Sequence, residues 1–553
     1  MKLRHSITGT LLATLMSTTA GAALAEGTYD EALRLDPANF TTLSVTVDGA
    51  PMTVRRYEAV YAGAPAAINP QQPARRMGPG GSPTTSEQET LADTLAFQKL
   101  IIYVPESSVE NQDTAMIFAV NNGGWFASAV RSSIEDGGNY VSTSDTDKAG
   151  AALAAGYVFV DVGTRSRGLV AADDTAAGKA PAVVVDAKAA IRFLRLNDDI
   201  LPGSAERIVI TGTSGGGGLS TAVAASGNDP VYYPYLAEIG AAGIGADGTS
   251  SLNDDVFAVI AYCPITDLGH ADMAYEWQYQ GVRATSELSD LARAASTELA
   301  AAYPAYLAGL NVTLADGTPL TVDTMPDALR AELVKTIEEH LANGGSIPAR
   351  GEMFSYTNRG ETAEVENTWI TVADGKVTEL DIDAFLTFVT QTSQLKAIPA
   401  FDRTANSGNE GVDGENSLFG PADLAYANFT PYGWNNNSVT GDGSGADDTG
   451  MDWDTYLTTD EGRALEAQRQ LINPLDHLTT GEAAPYWYLR HGMIDRDTAF
   501  AVEITLYNAI RALPEVVDAN FKLAFMTPHS GDYDVQEAYR WLAGALNAAG
   551  TPN

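Results

Sequence analysis

The turn around Ser214 constrains the fold of this chain more than any other stretch. Residues 207–220 read Arg-Ile-Val-Ile-Thr-Gly-Thr-Ser-Gly-Gly-Gly-Gly-Leu-Ser, so β-branched residues lead into a Gly-Thr-Ser-Gly-Gly turn. A strand, a sharp turn and a helix start in this order form the G-x-S-x-G elbow, which exposes the serine hydroxyl at the carboxyl end of the strand. The N–H of Gly215, at the helix start, is then placed to donate to a developing oxyanion. A plain glycine turn remains the alternative. Nucleotide binding is the weaker interpretation, because neither G-x-G-x-x-G nor Gly-Lys-Ser/Thr spacing is present.

Apolar strands and helices alternate on either side of this elbow. Strands are predicted at residues 99–104, 115–120, 157–163, 256–262, 486–490 and 521–526, and helices at 148–155, 183–196, 498–512 and from 535 onward. Residues 63–90, which are rich in Pro, Gly and Ser, are predicted to form a long loop. Buried strands that alternate with helices predict a mostly parallel sheet covered on both faces. Together with the elbow, this pattern predicts the α/β class and the α/β-hydrolase fold.

The alternation breaks off between residues 268 and 470. Helical runs are predicted there at 286–303, 326–342 and 382–393, separated by loops rich in Gly, Asp and Asn. The simplest account is a hydrolase core formed by residues 26–267 and 471–553, which is interrupted by an inserted lid domain at residues 268–470.

The first 25 residues have the pattern of a signal peptide. Lys2 and Arg4 precede a short apolar segment, and an Ala-Leu-Ala sequence ends at Ala25. We therefore expect the mature chain to be exported, to the periplasm or to the medium.

A net charge of −38 and a single cysteine limit the partners of this 553-residue chain. So negative a surface repels nucleic acid and anionic membranes, and no apolar run after the signal peptide is long enough to span a bilayer. Cys263 alone cannot form an internal disulfide, and its apolar surroundings predict a buried structural thiol. The six histidines show no spacing typical of zinc ligands, so we expect no metal and no other cofactor.

A nucleophilic serine needs a base, and the base needs an orienting acid. In α/β-hydrolases the acid and then the histidine follow the serine along the chain. The next-to-last predicted strand is followed by His491, Asp495 and Asp497, and the last strand is followed by His529. His529 is the predicted base because it lies between the last strand and the last helix. His491 follows the next-to-last strand, whereas the base is expected after the last one, so His491 is predicted to be structural.

The second oxyanion donor is expected in a loop after an early strand. Asn-Asn-Gly-Gly-Trp at residues 121–125 occupies that position, and the N–H of Gly124 is the predicted donor. Serine, acid, histidine and oxyanion loop together indicate acyl transfer to water, which leaves an esterase, an amidase and a peptidase open.

Four segments resemble the bacterial (subtype B) tannases, which are tannin acyl hydrolases of the α/β-hydrolase fold. They are Asn-Asn-Gly-Gly-Trp at 121–125, Gly-Thr-Ser-Gly-Gly at 212–216, Arg-His-Gly-Met-Ile-Asp-Arg-Asp at 490–497 and Thr-Pro-His at 527–529. Residues 262–268 and 271–277 also resemble the family's entry into its lid. The resemblance spans the mature chain and is weakest in the lid. It implies that Ser214, Asp495 and His529 form the catalytic triad.

The resemblance also implies how the substrate ring is held. In the family, a lysine and a glutamate from the lid bind the hydroxyls of a galloyl ring, and the matching positions here are Lys396 and Glu415. Asp497 would point toward the same phenolic hydroxyls. Lysine donates hydrogen bonds and carboxylates accept them from phenolic O–H groups. The implied activity is hydrolysis of galloyl and protocatechuoyl esters through an acyl-enzyme, with a small aromatic ester as the substrate.

Two other functions stay open at this point. A feruloyl or general carboxylesterase, or a serine peptidase, could share this fold, although Cys263 alone excludes the versions that need a disulfide and no paired-glutamate motif for a free amine is evident. A secreted binding protein on an inactive hydrolase scaffold is disfavoured, because serine, acid and histidine all stand at the expected strand ends.

Overall fold

A computed structural model describes residues 27–73, 88–284, 288–358, 360–404, 414–437 and 443–550, and the backbone of two short strands at Arg76–Met77 and Pro83–Thr84. The predicted signal peptide at residues 1–25 lies outside the described residues. The strands of the central sheet are β1 (Thr41–Val47), β2 (Ala50–Val60), β3 (Lys99–Pro105), β4 (Met116–Ala119), β5 (Asn139–Tyr140), β6 (Val158–Val162), β7 (Ile208–Thr213), β8 (Ala258–Tyr262), β9 (Tyr486–Gly492) and β10 (Asp518–Ala524).

The central sheet is mostly parallel, as the sequence predicts. Its strand order is β10-β9-β8-β7-β4-β6-β3-β2-β1-β5. All neighbours from β10 to β6 pair in parallel, whereas β3, β2 and β1 form an antiparallel extension beyond β6. Parallel strands covered on both faces carry near-continuous apolar runs, which is why β4 and β6 are so evident in the sequence.

The described helices of eight or more residues are α1 (Lys148–Ala155), α2 (Ala182–Leu196), α3 (Gly215–Ala225), α4 (Leu268–Tyr279), α5 (Asp290–Gly309), α6 (Met325–Ala342), α7 (Ile382–Thr392), α8 (Asp460–Gln470), α9 (Phe500–Arg511) and α10 (Val535–Ala549). Among them, none combines the length and the apolar character needed to cross a membrane. Helices α4 to α8 all lie between β8 and β9 in the chain, in the region predicted to form the lid.

Successive residues of the central strands face two different cores. Phe118 and Ile210 belong to the core that includes side chains of α2, α3 and α9, whereas Ile117 and Val209 belong to the core that includes side chains of α1 and α10. Side chains alternate between the faces of a strand, so helices cover the sheet on both sides. In α10, Leu542 and Leu546 pack into the second core.

The region between β8 and β9 contains strands that the sequence pattern does not predict. Two hairpins pair Met353–Asn358 with Glu361–Glu366 and Ile370–Ala373 with Lys376–Leu380. In the first hairpin most outward-facing residues are polar and exposed, and only Phe354, Tyr356 and Val365 are buried, so the apolar signal is weak. The domain boundaries at residues 267 and 470 remain predictions.

Two element predictions were wrong in extent. Residues 63–90 are not loop throughout, because Gln71–Pro73 pairs with Gln88–Thr90. The helix predicted at 286–303 is α5, which begins after Ser289, whose hydroxyl accepts a hydrogen bond from the N–H of Ala292, and continues past Pro304 to Gly309.

Candidate active site

Ser214 lies in the sharp turn between β7 and α3. β7 ends at Thr213 and α3 begins at Gly215, so a single residue joins them. The backbone of Ser214 has φ 60° and ψ −124°, a conformation that residues other than glycine rarely adopt. The N–H of Ser214 donates to the carbonyl of Tyr262, and the N–H of Gly218 donates to the carbonyl of Ser214, both at 2.9 Å. The strained turn that the G-x-S-x-G pattern predicts is therefore present.

The structure brings the three predicted triad residues together in one hydrogen-bonded chain. Asp495 follows β9 and His529 follows β10, so both lie at the same edge of the sheet as Ser214. His529 Nε2 lies 2.8 Å from Ser214 Oγ, and His529 Nδ1 lies 2.7 Å from Asp495 Oδ2. The second carboxylate oxygen of Asp495 accepts from the backbone N–H of Asp497 at 2.7 Å. In this arrangement the serine hydroxyl can donate to Nε2 while Nδ1–H donates to the carboxylate.

The charges around this chain set its proton affinities. Burial acts to raise the pKa of Asp495, but the neighbouring imidazoles and the hydrogen bonds that it accepts outweigh burial and hold the pKa below its ordinary value. Burial acts to lower the pKa of His529, and the Asp495 carboxylate reverses this effect and raises the pKa above its ordinary value. Asp495 is therefore an anion that stabilises the imidazolium of His529.

The loop at residues 121–125 lies against the elbow. Gly124 has φ 58° and ψ 27°, a left-handed conformation suited to glycine. The N–H of Trp125 donates to the carbonyl of Asn122 at 2.9 Å. A Cβ atom on Gly215 would meet the backbone of Asn122 and Trp125, so the loop and the start of α3 are in contact. Within the described part of the chain, the N–H groups of Gly124 and Gly215 find no protein acceptor.

Lys396 and Asp497 both lie near His529. Asp497 Oδ2 is 3.7 Å from His529 Nε2, and its other carboxylate oxygen is paired with Arg496. The ammonium of Lys396 lies 4.0 Å from the centre of the Phe401 ring. Its positive charge acts to lower the pKa of His529, which counters part of the effect of Asp495.

Glu415 lies beside Arg167, which contacts the loop at 121–125. It is 8% exposed, and its Oε1 is 3.6 Å from Nη2 of Arg167. Arg167 in turn donates from Nε to the carbonyl of Gly124 at 2.7 Å and from Nη1 to the carbonyl of Gly414. The sequence indicated no role for Arg167, since no motif surrounds it and its partners are distant in the chain.

His491 and Cys263 lie on the buried side of Asp495. His491 is fully buried, with Nδ1 4.0 Å from Asp495 Oδ2 and 3.8 Å from Glu503 Oε1. Burial lowers the pKa of His491 and raises the pKa of the Glu503 carboxyl, so burial favours the neutral form of each. Cys263 is buried too, and its thiol donates to the carbonyl of Ser530 at 3.2 Å.

Two sets of described residues have possible metal-ligand atoms within 4.8 Å of one another. They are Cys263, His491 and Asp495, and Asp495, Asp497 and His529. Both sets contain Asp495, and the Asp495 carboxylate is already engaged by His529. We therefore assign these side chains to the hydrogen-bonded chain and to its buried surroundings.

Comparison with known proteins agrees with this architecture. A family model named BD-FAE, which represents an α/β-hydrolase family, matches residues 100–306. The tannin acyl hydrolase from Lactobacillus plantarum is 28% identical, with 93% of this chain and 99% of that chain aligned and a TM-score of 0.71. Tannin acyl hydrolase structures in complex with ethyl gallate and with 3,4-dihydroxybenzoate align over the same shares at 28% identity and a TM-score of 0.72.

A Fusobacterium nucleatum tannase is 26% identical over 93% of this chain and 99% of its own, with a TM-score of 0.71. No curated protein sequence matches the chain. The chain thus has the α/β-hydrolase fold, and over most of its length it is similar to the bacterial tannases, as its motifs predict.

Proposed function

We propose that this protein is a serine esterase that hydrolyses galloyl esters and releases gallic acid. The observation that carries the proposal is the chain from Ser214 to His529 to Asp495 in a fold similar to tannin acyl hydrolases, of which one is in complex with ethyl gallate. The complex of such an enzyme with 3,4-dihydroxybenzoate supports protocatechuoyl esters as further substrates.

The catalytic roles follow from the distances. Ser214 Oγ attacks the ester carbonyl while its proton passes to Nε2 of His529, and Asp495 stabilises the imidazolium. The N–H groups of Gly124 and Gly215, which have no acceptor in the described structure, donate to the oxyanion. The alcohol leaves with the proton from His529. Water, activated by His529, then hydrolyses the acyl-enzyme.

Lys396, Glu415 and Asp497 are proposed to bind the ring hydroxyls. Lys396 donates, and the two carboxylates accept from phenolic O–H groups. A site built for several hydroxyls leaves its polar groups unpaired when a substrate lacks them, which can reduce turnover by about 10⁴-fold to 10⁵-fold in the best cases. Esters of benzoate and ferulate should therefore be poor substrates. We further propose, from the residues before Glu26, that the enzyme acts after export, in the periplasm or the medium.

The test is hydrolysis of methyl gallate and methyl ferulate by the unaltered protein, Ser214→Ala and Lys396→Ala. Ser214→Ala should lose about 10⁶ in kcat, as serine removal does in a comparable triad. Lys396→Ala should lose much of the preference for methyl gallate over methyl ferulate, while the triad stays intact. Ser220→Ala is the matched control and should stay active, because Ser220 is a buried serine of α3, the helix that follows Ser214. Equal turnover of ferulate and gallate by the unaltered protein would refute the galloyl assignment.

A further inference from the structure

Tyr275 of α4 connects Lys396 to the loop that carries the triad acid. Its side chain is fully buried, and its hydroxyl accepts from the backbone N–H of Lys396 at 3.0 Å. The same hydroxyl donates to the carbonyl of Arg496 at 2.7 Å, and Arg496 directly follows Asp495. The carbonyl of Lys396 is also held, because Arg283 donates to it at 2.9 Å. One phenol oxygen therefore joins a proposed ring-binding residue to the catalytic acid loop.

Arg167 makes the corresponding connection for Glu415. It is 5% exposed, and its guanidinium lies 4.0 Å from the centre of the Phe126 ring. One edge of the guanidinium binds the carbonyl of Gly124, in the peptide that follows the proposed oxyanion donor. Nη1 of the guanidinium donates to the carbonyl of Gly414, and Nη2 faces the carboxylate of Glu415. Arg167 therefore joins the oxyanion loop to the second proposed ring-binding residue.

We propose that Tyr275 and Arg167 are positioning residues that align the ring-binding side chains with the catalytic loops, Tyr275 through Lys396 and Arg167 through Glu415. The inference rests on the proposed function. Lys396 and Glu415 come from the region inserted between β8 and β9, so no strand of the central sheet holds them. Substrate recognition depends on their distance from Ser214, and a misplacement of about 1 Å can cost about 10²-fold in rate. Each of the two buried side chains therefore limits how far one ring-binding residue can move relative to Ser214.

Tyr275→Phe tests the first connection by removing one oxygen atom. We expect kcat/KM for methyl gallate to fall by about 10-fold or more, because both hydrogen bonds of the Tyr275 hydroxyl are lost. For methyl benzoate we expect kcat/KM to change little. In a Lys396→Ala background, Tyr275→Phe should cause no further loss of gallate preference, because the two residues act as a unit. Tyr279→Phe is the matched control. Its ring lies 4.9 Å from that of Tyr275 on the same helix, and its hydroxyl has no partner in the described structure.

Arg167→Lys tests the second connection, since an ammonium cannot hold two carbonyls and face a carboxylate in the fixed geometry of a guanidinium. We expect a fall in kcat of about 10-fold to 10²-fold for both esters, from the loosened oxyanion loop, and a rise in KM for methyl gallate alone. Arg165→Lys is the control, because Arg165 is also buried but pairs with Asp186. Melting temperatures of all variants show whether they are folded, and Arg167→Gln replaces Arg167→Lys if that variant does not fold.

Three results would contradict the inference. An equal loss on both esters in Tyr275→Phe, or a loss that adds to that of Lys396→Ala, would make Tyr275 a general structural residue. An unchanged kcat for methyl benzoate in Arg167→Lys would remove the role of Arg167 at the oxyanion loop. If the unaltered protein shows no preference for methyl gallate over methyl benzoate, the proposed function fails, and the recognition part of this inference fails with it. The benzoate measurement on Arg167→Lys still reports on the oxyanion loop alone.

Discussion

His529 lies close to two negatively charged side chains and is also affected by one positively charged side chain. Asp495, at 2.7 Å, and Asp497, at 3.7 Å, raise its pKa, whereas Lys396 acts in the other direction. Burial alone would lower the pKa, so the net increase above the ordinary value of 6.5 shows that the carboxylates outweigh it. Since a general base must be neutral, these charges determine the pH at which the enzyme works.

We predict that kcat/KM for methyl gallate rises with pH, with a midpoint above 6.5, because His529 must lose its proton before it can accept one from Ser214. Asp495→Asn should move the midpoint down and lower kcat by about 10⁴-fold. Lys396→Ala should move the midpoint up, since it removes a positive charge. pH–rate profiles of the three proteins measure these shifts. Midpoints that move in the same direction in both variants would contradict the assignment.

At the scale of elements, a buried carboxylate in α4 anchors the segment that carries Lys396 and Glu415. Asp272 accepts from the backbone N–H groups of Phe401 and Asp402, at 2.7 and 2.9 Å. Asp402 accepts in turn from five donors, which belong to Asn416, Asn428, Phe429 and Thr430. These two buried carboxylates thus hold the backbone at residues 401–402 and 429–430.

Because Asp272 is buried, we predict that the free energy of unfolding depends on pH. Burial, with the nearby charge of Asp402, raises the pKa of Asp272 to about 7. The folded chain then keeps a proton that the unfolded chain loses above about 4, so the free energy of unfolding falls as pH rises from about 4 to about 7.

Asp272→Asn, which resembles the protonated acid, isolates this contribution. The unaltered protein should lose stability relative to the variant by up to about 1.4 kcal/mol per pH unit in that range. Urea unfolding of both proteins at pH 4.5, 5.5 and 6.5 measures it. A relative gain in stability as pH rises would mean that the backbone N–H donors keep the Asp272 carboxylate ionised.

Whether a strand could be predicted from the sequence depended on how many of its side chains are buried. The strand predicted at residues 157–163 is β6, Val158–Val162, because a strand that is buried on both faces is mostly apolar, and Asp161 is the one charged residue in it. The hairpin from Met353 to Glu366 was not predicted, because threonine and glutamate dominate its exposed face. Tertiary packing on alternate residues, including Phe354, decides that structure.

At the scale of the whole molecule, the net charge of −38 opposes compaction. Like charges lie closer together in the folded chain than in the unfolded one, so their repulsion destabilises the fold. Raising the ionic strength from 0.01 to 0.15 M shortens the screening length from about 30 Å to about 8 Å.

We predict that the melting temperature rises over this range of sodium chloride concentration. Sucrose at the same osmolality is the control and should have a smaller effect, because it does not screen charge. A melting temperature that falls with salt would show that favourable exposed ion pairs, such as that of Arg34 with Asp199, outweigh the repulsion.

The parallel strands, the elbow at Ser214 and the order of serine, acid and histidine can be predicted from the amino-acid sequence alone. These features are local, because each follows from apolar periodicity or from the residues next to a strand end. The positions of Lys396 and Glu415 could be read only from the folded structure. Their positions depend on Tyr275 and Arg167, which hydrogen-bond to residues far away in the chain, and no spacing in the sequence records such contacts.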